Sequence, residues 1–351
     1  MKKYKVGIIG IGRIAHVHIE ALRMLDNVEV FSISSRNDIE QKAKNLHIYN
    51  YYSDYKTMID NEALDSVHIC TSNDVHFEIA SYALNKGLHV ILEKPMTMTL
   101  DEAVDLYNLS KSKNLVSKIH FHNRFYANNH YVKNHIERIG QIISIHGEYT
   151  QGWAADPKVY NWRDNKKYGG NTRVIADVGT HYFDLIEYVS GHQITEVSAL
   201  FSRVHETRGG HQVDTEDIGV IIYKTDQGAI GSTIISQSLI GYDNKLSYTL
   251  SGLKGSYMID GFDPTKYHYA PLNEVFKAYD VTYINTLKTK TTYPSTNFIE
   301  SFKEAFRDFY QSIDERTFNS SYANFKDGLH SMKLVDAIYQ SNEQKRWVQV
   351  K

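Results

Sequence analysis

The chain has 351 residues, of which 42% are apolar and 23% charged, with a formal net charge of -2. That length exceeds most single cores, so two domains are expected, and the near-neutral balance with scattered lysine and arginine argues against a nucleic-acid surface. A single cysteine, Cys70, at the end of an apolar run, excludes a disulfide framework or a cysteine metal cluster; no apolar run approaches the roughly 18 residues of a membrane span and the N-terminus carries no signal-peptide pattern, so a cytoplasmic protein without a membrane partner is expected.

From the N-terminus, Lys5–Ile9, Val28–Ser34, Ser66–Cys70, His89–Leu92 and Leu115–Phe121 read as short strands alternating with amphipathic segments. Such a βαβ series builds a parallel sheet. The first strand breaks into Gly10-x-Gly12-x-x-Ala15 and then a helix. Gly10 allows a tight turn, Gly12 the close approach of a phosphate and Ala15 close packing of helix on strand, so a dinucleotide is expected there. Arg13 and Ile14, which open that helix, belong to the same cofactor set. The second strand ends in Ser34-Ser35-Arg36, where folds that prefer NAD place an acid on the ribose. Ser35 and Arg36 instead suit a 2′-phosphate, which favours NADP over NAD. Arg36 as a solvated loop cation stacking on adenine is the alternative.

After Asn123 the rhythm changes to longer alternating strands, Ile142–Thr150, Ile194–Arg203, Asp217–Tyr223, Ala229–Gln237, Lys245–Leu250 and Ser256–Asp260, which read as an antiparallel sheet. Asp177–Ser190 has helical apolar spacing and lies on one face of it. Two late helices, near Phe298–Ile313 and Phe325–Asn342, carry aromatic and aliphatic core stripes. The expected domains are 1–122, which binds the dinucleotide, and 123–351, which binds substrate and mediates oligomerisation.

Two distant segments carry the chemistry, Glu93-Lys94-Pro95 and Asp177-Val178-Gly179-Thr180-His181. On a helix Asp177 and His181 share a face, and a carboxylate beside an imidazole sets its tautomer and raises its basicity. His181 is the candidate general base and Lys94 the cation that stabilises a developing alkoxide. The bland readings are a helix N-cap for Asp177 and a buried, satisfied histidine for His181. Trp153, Trp162, Arg163 and Arg173 lie on a Gly- and Tyr-rich insertion suited to a sugar-binding wall, with a packed lid or subunit contact equally open. His120-Phe121-His122 resembles a metal pair, but no third ligand of suitable spacing follows, so no metal is expected. His122 and Asn123 fall at a strand's C-terminal end, where ligands of parallel sheets bind. His16-Val17-His18 reads as ordinary helix.

Gly10, Gly12 and Ala15, Thr71-Ser72-Asn73-Asp74-Val75-His76, Glu93-Lys94-Pro95, and Asp177 to His181 with Asp184 together resemble the glucose–fructose oxidoreductase/inositol dehydrogenase (Gfo/Idh/MocA) family of NAD(P)-dependent sugar dehydrogenases over nearly the whole chain. Ser72 departs from the family's usual proline. The resemblance implies an α/β protein: an N-terminal Rossmann domain with a doubly wound parallel sheet, and a C-terminal α+β domain with a large, mostly antiparallel, open-faced sheet. It implies hydride transfer between a nicotinamide and a secondary hydroxyl of a sugar or polyol. Lys94 would contact that hydroxyl, Asp177 would help bind it, and the Lys94–Pro95 peptide would be cis. Thr71, Asn73, His76, Glu93 and Asn123 would join the cofactor set, and His122 and His181 the substrate set. Two other classes share the fold, a glycosidase using NAD in a transient oxidation and a non-catalytic cofactor sensor; the second has no need of Lys94, Asp177 and His181 together. The long sheet has too few helices to cover both faces, so a homo-oligomer, dimer or tetramer, is expected through it.

Overall fold

The computed structural model describes residues 3–281, 297–317 and 321–351. Its contacts divide the chain into two units, Met1–His122 with Asn297–Leu329, and Asn123–Thr296 with His330–Lys351.

In the first unit the strands are β1 (Tyr4–Ile9), β2 (Val28–Ser34), β3 (Asn50–Tyr52), β4 (Ser66–Ile69), β5 (His89–Leu92) and β6 (Ser117–Ile119). They form a six-stranded sheet in the order β3-β2-β1-β4-β5-β6, with every pairing parallel. This is a Rossmann sheet, whose order reverses beside β1, the place where such sheets take ligands. The helices between the strands are α1 (Arg13–Arg23), α2 (Ile39–Leu46), α3 (Tyr55–Asn61), α4 (His76–Asn85) and α5 (Leu100–Lys113). Local chemistry sets their ends: Thr99 and Glu102 form a reciprocal capping box at the start of α5, which satisfies amides that the helix leaves unpaired. β6 is shorter than its apolar run because the chain turns away after Ile119.

The second unit adds α6 (Ala127–Asn134), β7 (Ile142–Thr150), α7 (Lys166–Gly169), α8 (Thr180–Ser190), β8 (Ile194–Ser202), β9 (Thr207–Arg208), β10 (His211–Gln212), β11 (Ile218–Thr225), β12 (Ile230–Ser236), β13 (Lys245–Gly252), β14 (Gly255–Ile259), β15 (Lys266–Pro271) and β16 (Lys277–Asp280). After α9 (Phe298–Glu315) and α10 (Phe325–Gln344), β17 (Val348–Gln349) closes the edge of a nine-stranded sheet in the order β16-β15-β14-β13-β7-β12-β11-β8-β17. The sheet is mixed: β7 and β12 run parallel while the other pairs are antiparallel. One face packs on α8 through Tyr182, Leu185 and Ile186. Val220, Ile222 and Ile230 on the other face are exposed.

Two expectations change. The expected second domain ran unbroken to residue 351, whereas α9 belongs to the first unit. Its Phe302 and Phe306 pack in edge-on and tilted contacts against His18 of α1 and His120, burying an apolar stripe that has no strand-like periodicity to announce its partner. The helix expected from Asp177 begins only at Thr180; Ile175–Gly179 forms a π-helical turn before α8. Among the described residues no helix is long and apolar enough to cross a membrane.

Candidate active site

In the first unit the dinucleotide cradle is made of backbone. Gly10 has φ of +87°, and a Cβ there would stand 2.9 Å from the Cys70 carbonyl, so only glycine holds the turn without strain. Apart from Gly12 itself and its chain neighbours, no atom of the described residues outside the local helix backbone lies within 4 Å of where a Cβ on Gly12 would stand. Gly12 caps α1 with no side-chain hydrogen bond to the helix amides. The first-turn N–H groups, those of Arg13 and Ile14 included, therefore suit a phosphate. Ala15 is fully buried, as close packing requires. Thr71 Oγ1 and Asn123 Nδ2, each in its own unit, are buried with no hydrogen-bond partner among the described residues. Such orphans fit a polar ligand, because buried polar groups are otherwise almost always paired. At the end of β2, Arg36 is exposed and Lys42 Nζ lies 3.3 Å from Ser35 Oγ. The local pattern did not single out Lys42, which reaches Ser35 from the first turns of α2.

Lys94 follows β5, and the Lys94–Pro95 peptide is cis, as the family resemblance implied. Two residues assigned to the cofactor turn elsewhere. His76 is fully buried, with Nδ1 2.8 Å from the Pro95 carbonyl and Nε2 3.3 Å from that of Thr71. Burial holds its pKa below the ordinary value, so the neutral ring donates from Nδ1 to Pro95 and braces the turn after Lys94. The Glu93 carboxylate points into the core, with Oε1 3.0 Å from His18 Nε2. Asn73 opens the short turn before α4.

His122 is buried with Nδ1 3.0 Å from Ser301 Oγ. Ser301 Oγ–H donates to the Phe298 carbonyl at 2.6 Å, so it accepts from His122 Nδ1–H and leaves the lone pair on Nε2. Burial, with the Lys94 charge adding to it, pushes the His122 pKa down to about 3. This imidazole is therefore neutral at any working pH. Of the His120–His122 pair, only His120 belongs to a cluster of ligand-type atoms among the described residues, with His18 and Glu93, all within 4.8 Å of one another.

In the second unit Asp177 sits in the π-helical turn, an irregularity that recurs at functional sites. Its Oδ2 accepts from Gln237 Nε2 at 2.7 Å, and Oδ1 lies 3.4 Å from Arg163 Nε. The backbone before this turn is held by Glu216, whose carboxylate accepts from the amides of Arg173 at 2.9 Å and Ile175 at 3.1 Å. Burial raises the Glu216 pKa to about 7 against the pull of those amides. His181 is the second residue of α8, buried, with the Tyr149 ring 6.3 Å away. Asp184 accepts from Arg124 Nε at 2.8 Å and is a structural ion pair rather than part of the reacting set.

The insertion divides. Trp153 is exposed and its Nε1 donates to Gln151 Oε1 at 2.8 Å, while Arg163 lies over the half-buried Trp162 at 4.2 Å. Arg173 departs from its assignment as a substrate ligand: it is 1% exposed, forms ion pairs with Asp164 and, at 3.1 Å, with Asp217, and its Nε donates to Gln237 Oε1 at 3.1 Å. Two arginines, Arg173 and Arg208, share these two aspartates, so the Arg173 guanidinium is buried in an ion cluster rather than displayed on an open wall. The residues missed are Gln237 and Gln151. A glutamine near a strand end carries no local signal for facing an aspartate sixty positions away.

A cradle at the reversal of a Rossmann sheet, a lysine after β5 and a mixed sheet bearing a polar aspartate seat define an NAD-dependent oxidoreductase. Residues 4–121 match the oxidoreductase family model for the NAD-binding Rossmann fold, and residues 133–350 the model for that family's C-terminal alpha/beta domain; the chain belongs to the Gfo/Idh/MocA oxidoreductase family. It is 26% identical to levoglucosan dehydrogenase of Pseudarthrobacter phenanthrenivorans, covering 100% of this chain and 99% of the relative. It is 27% identical to myo-inositol 2-dehydrogenase of Thermotoga maritima over 74% of this chain and 76% of that one. A solved levoglucosan dehydrogenase in complex with NADH and L-sorbose superposes with a TM-score of 0.91 at 26% identity, covering 99% of both chains.

Proposed function

We propose that the protein is a reversible NAD(P)-dependent dehydrogenase that interconverts a secondary hydroxyl and a ketone on a sugar, inositol or sugar-derived polyol. The observation that carries this reading is the presence, in one chain, of a bare phosphate cradle followed by Lys94 and of the Asp177 and His181 seat on α8 and its π-helical turn. The names of the relatives support the substrate class. Gly10, Gly12, Arg13, Ile14, Thr71 and Asn123 would hold the dinucleotide, which when bound supplies the hydride acceptor. His181 takes the hydroxyl proton as the carbon loses hydride, Lys94 stabilises the developing alkoxide, and Asp177 accepts from a substrate hydroxyl. Each turnover yields one ketone, one reduced cofactor and one proton.

Ser35, Arg36 and Lys42 favour a 2′-phosphate, so NADP is the preferred partner. Two copies would meet on the exposed sheet face at Val220, Ile222 and Ile230, because an apolar patch of that kind on one sheet face is usually covered. The experiment is a panel of sugars and inositols with both cofactors, followed by nicotinamide absorbance. Reduction by at least one polyol is expected. No reduction by any, with cofactor shown to bind, would overturn the reading.

A further inference from the structure

We propose that His18 and His68 form a tautomer-locked pair that positions Glu93 from inside the nucleotide-binding unit and so holds the segment bearing Lys94. The inference rests on the reading of Lys94 as the group that meets the reacting hydroxyl. Its basis is an unbranched series of five side chains. Glu93 Oε1 lies 3.0 Å from His18 Nε2, His18 Nδ1 lies 3.0 Å from His68 Nδ1, His68 Nε2 lies 3.2 Å from the Tyr310 hydroxyl, and that hydroxyl lies 3.2 Å from Ser66 Oγ. All five residues are at most 7% exposed. They come from α1, from β4, from the end of β5 and from α9, so no stretch of sequence contains the arrangement.

For a neutral His18, hydrogen bookkeeping leaves one arrangement. An ionised carboxylate only accepts, so His18 carries its hydrogen on Nε2 and a lone pair on Nδ1. Where two Nδ1 atoms face each other, one must donate, so His68 carries its hydrogen on Nδ1. His68 Nε2 therefore accepts from the Tyr310 hydroxyl, which in turn accepts from Ser66. Burial, and then the neighbouring His18, pushes the His68 pKa well below the ordinary value. Burial also raises the Tyr310 hydroxyl far above its own, so the far end of the series keeps its proton. The other titratable groups facing the series are His120 and His122 beside His18, Cys70, His76 and Tyr322 about Glu93, and Tyr4 and Asp65 about Tyr310. An N–H that cannot turn away thus stays on Glu93. It is donated by α1, the helix whose first turn forms the phosphate cradle.

The same cluster offers a second possible occupant. A divalent ion on His18, Glu93 and His120 would need a lone pair on His18 where the series places a hydrogen.

The test is histidine-selective 15N NMR on the full-length protein, with elemental analysis and kinetics on the same preparation. The expected spectrum shows His18 protonated on Nε2 alone and His68 on Nδ1 alone. Replacing the ring by His18→Phe should lower kcat by about ten- to a hundredfold, the scale for a misplaced reacting group, while KM and cofactor affinity change little. His18→Gln, which keeps an N–H for Glu93, should recover most of the rate. A His18 ring protonated on Nδ1 would overturn the proposal. So would one metal ion per chain, or a folded His18→Phe protein with unchanged kcat. If wild type oxidises no polyol, the proposed function fails on its own, and the tautomers still decide whether the lock exists.

Discussion

The dinucleotide cradle and the Asp177 seat solve opposite problems. The cradle works by leaving side chains out: Gly10 and Gly12 clear a path, and α1 keeps its first amides uncapped. The seat works by putting side chains in, since Asp177 meets Gln237, Gln237 is oriented by Arg173, and Arg173 is held by Asp164 and Asp217. A site made of backbone is compact in sequence and tolerates change in what surrounds it. One made of buried charges is spread through the chain and depends on every member, because removing one partner strands the others.

The largest effect expected from this contrast is on stability. Arg173→Met leaves two buried aspartates short of a counter-ion and should lower unfolding free energy by about 3–5 kcal/mol, read by denaturant unfolding. If stability held and only KM rose, Arg173 would be a substrate ligand after all and the seat would be less interdependent than described. Next, Lys94→Met should cut kcat by roughly a hundredfold or more while cofactor binding stays near wild type; normal turnover would remove Lys94 from the chemistry. A third effect concerns His122. Its pKa is about 3 in the folded chain and about 6.5 in an unfolded one, so unfolding takes up a proton between those values. The stability it contributes is complete above about pH 6.5 and falls on acidification by up to about 1.4 kcal/mol per pH unit. His122→Asn should therefore lose about 2 kcal/mol less than wild type between about pH 7 and pH 5; equal losses would mean that His122 is protonated in the folded protein. The smallest change is at the rim of the cradle. Arg36→Ala should weaken NADP by about ten- to a hundredfold and leave NAD nearly unchanged, and equal losses in paired titrations would mean that Arg36 stacks on adenine.

The cradle was legible because its meaning lies within six consecutive positions and depends on residues that are small. Five of the six parallel strands, all but the three-residue β3, and six of the nine strands of the second sheet were legible from apolar and alternating runs, as was α8 from its apolar spacing. What escaped was set by distance along the chain. The α9 stripe gave a helix but not its partner, α1, hundreds of residues earlier. Arg173 read as a pocket cation because Asp217, which buries it, lies forty-four positions on. His18 read as plain helix because His68 and Glu93 come from separate strands. Glu93 and His76 carried the family's pattern, yet their side chains brace the core and the turn after Lys94 rather than face a ligand.

The central claim is that oxidation of a polyol hydroxyl is coupled to net reduction of the nicotinamide. It is tested most directly by quantifying ketone and reduced cofactor together over many turnovers on whichever substrate the panel yields. The account predicts equal amounts of the two, rising together. Product formed without accumulation of reduced cofactor would contradict it and assign the fold to a transient, internally reversed oxidation.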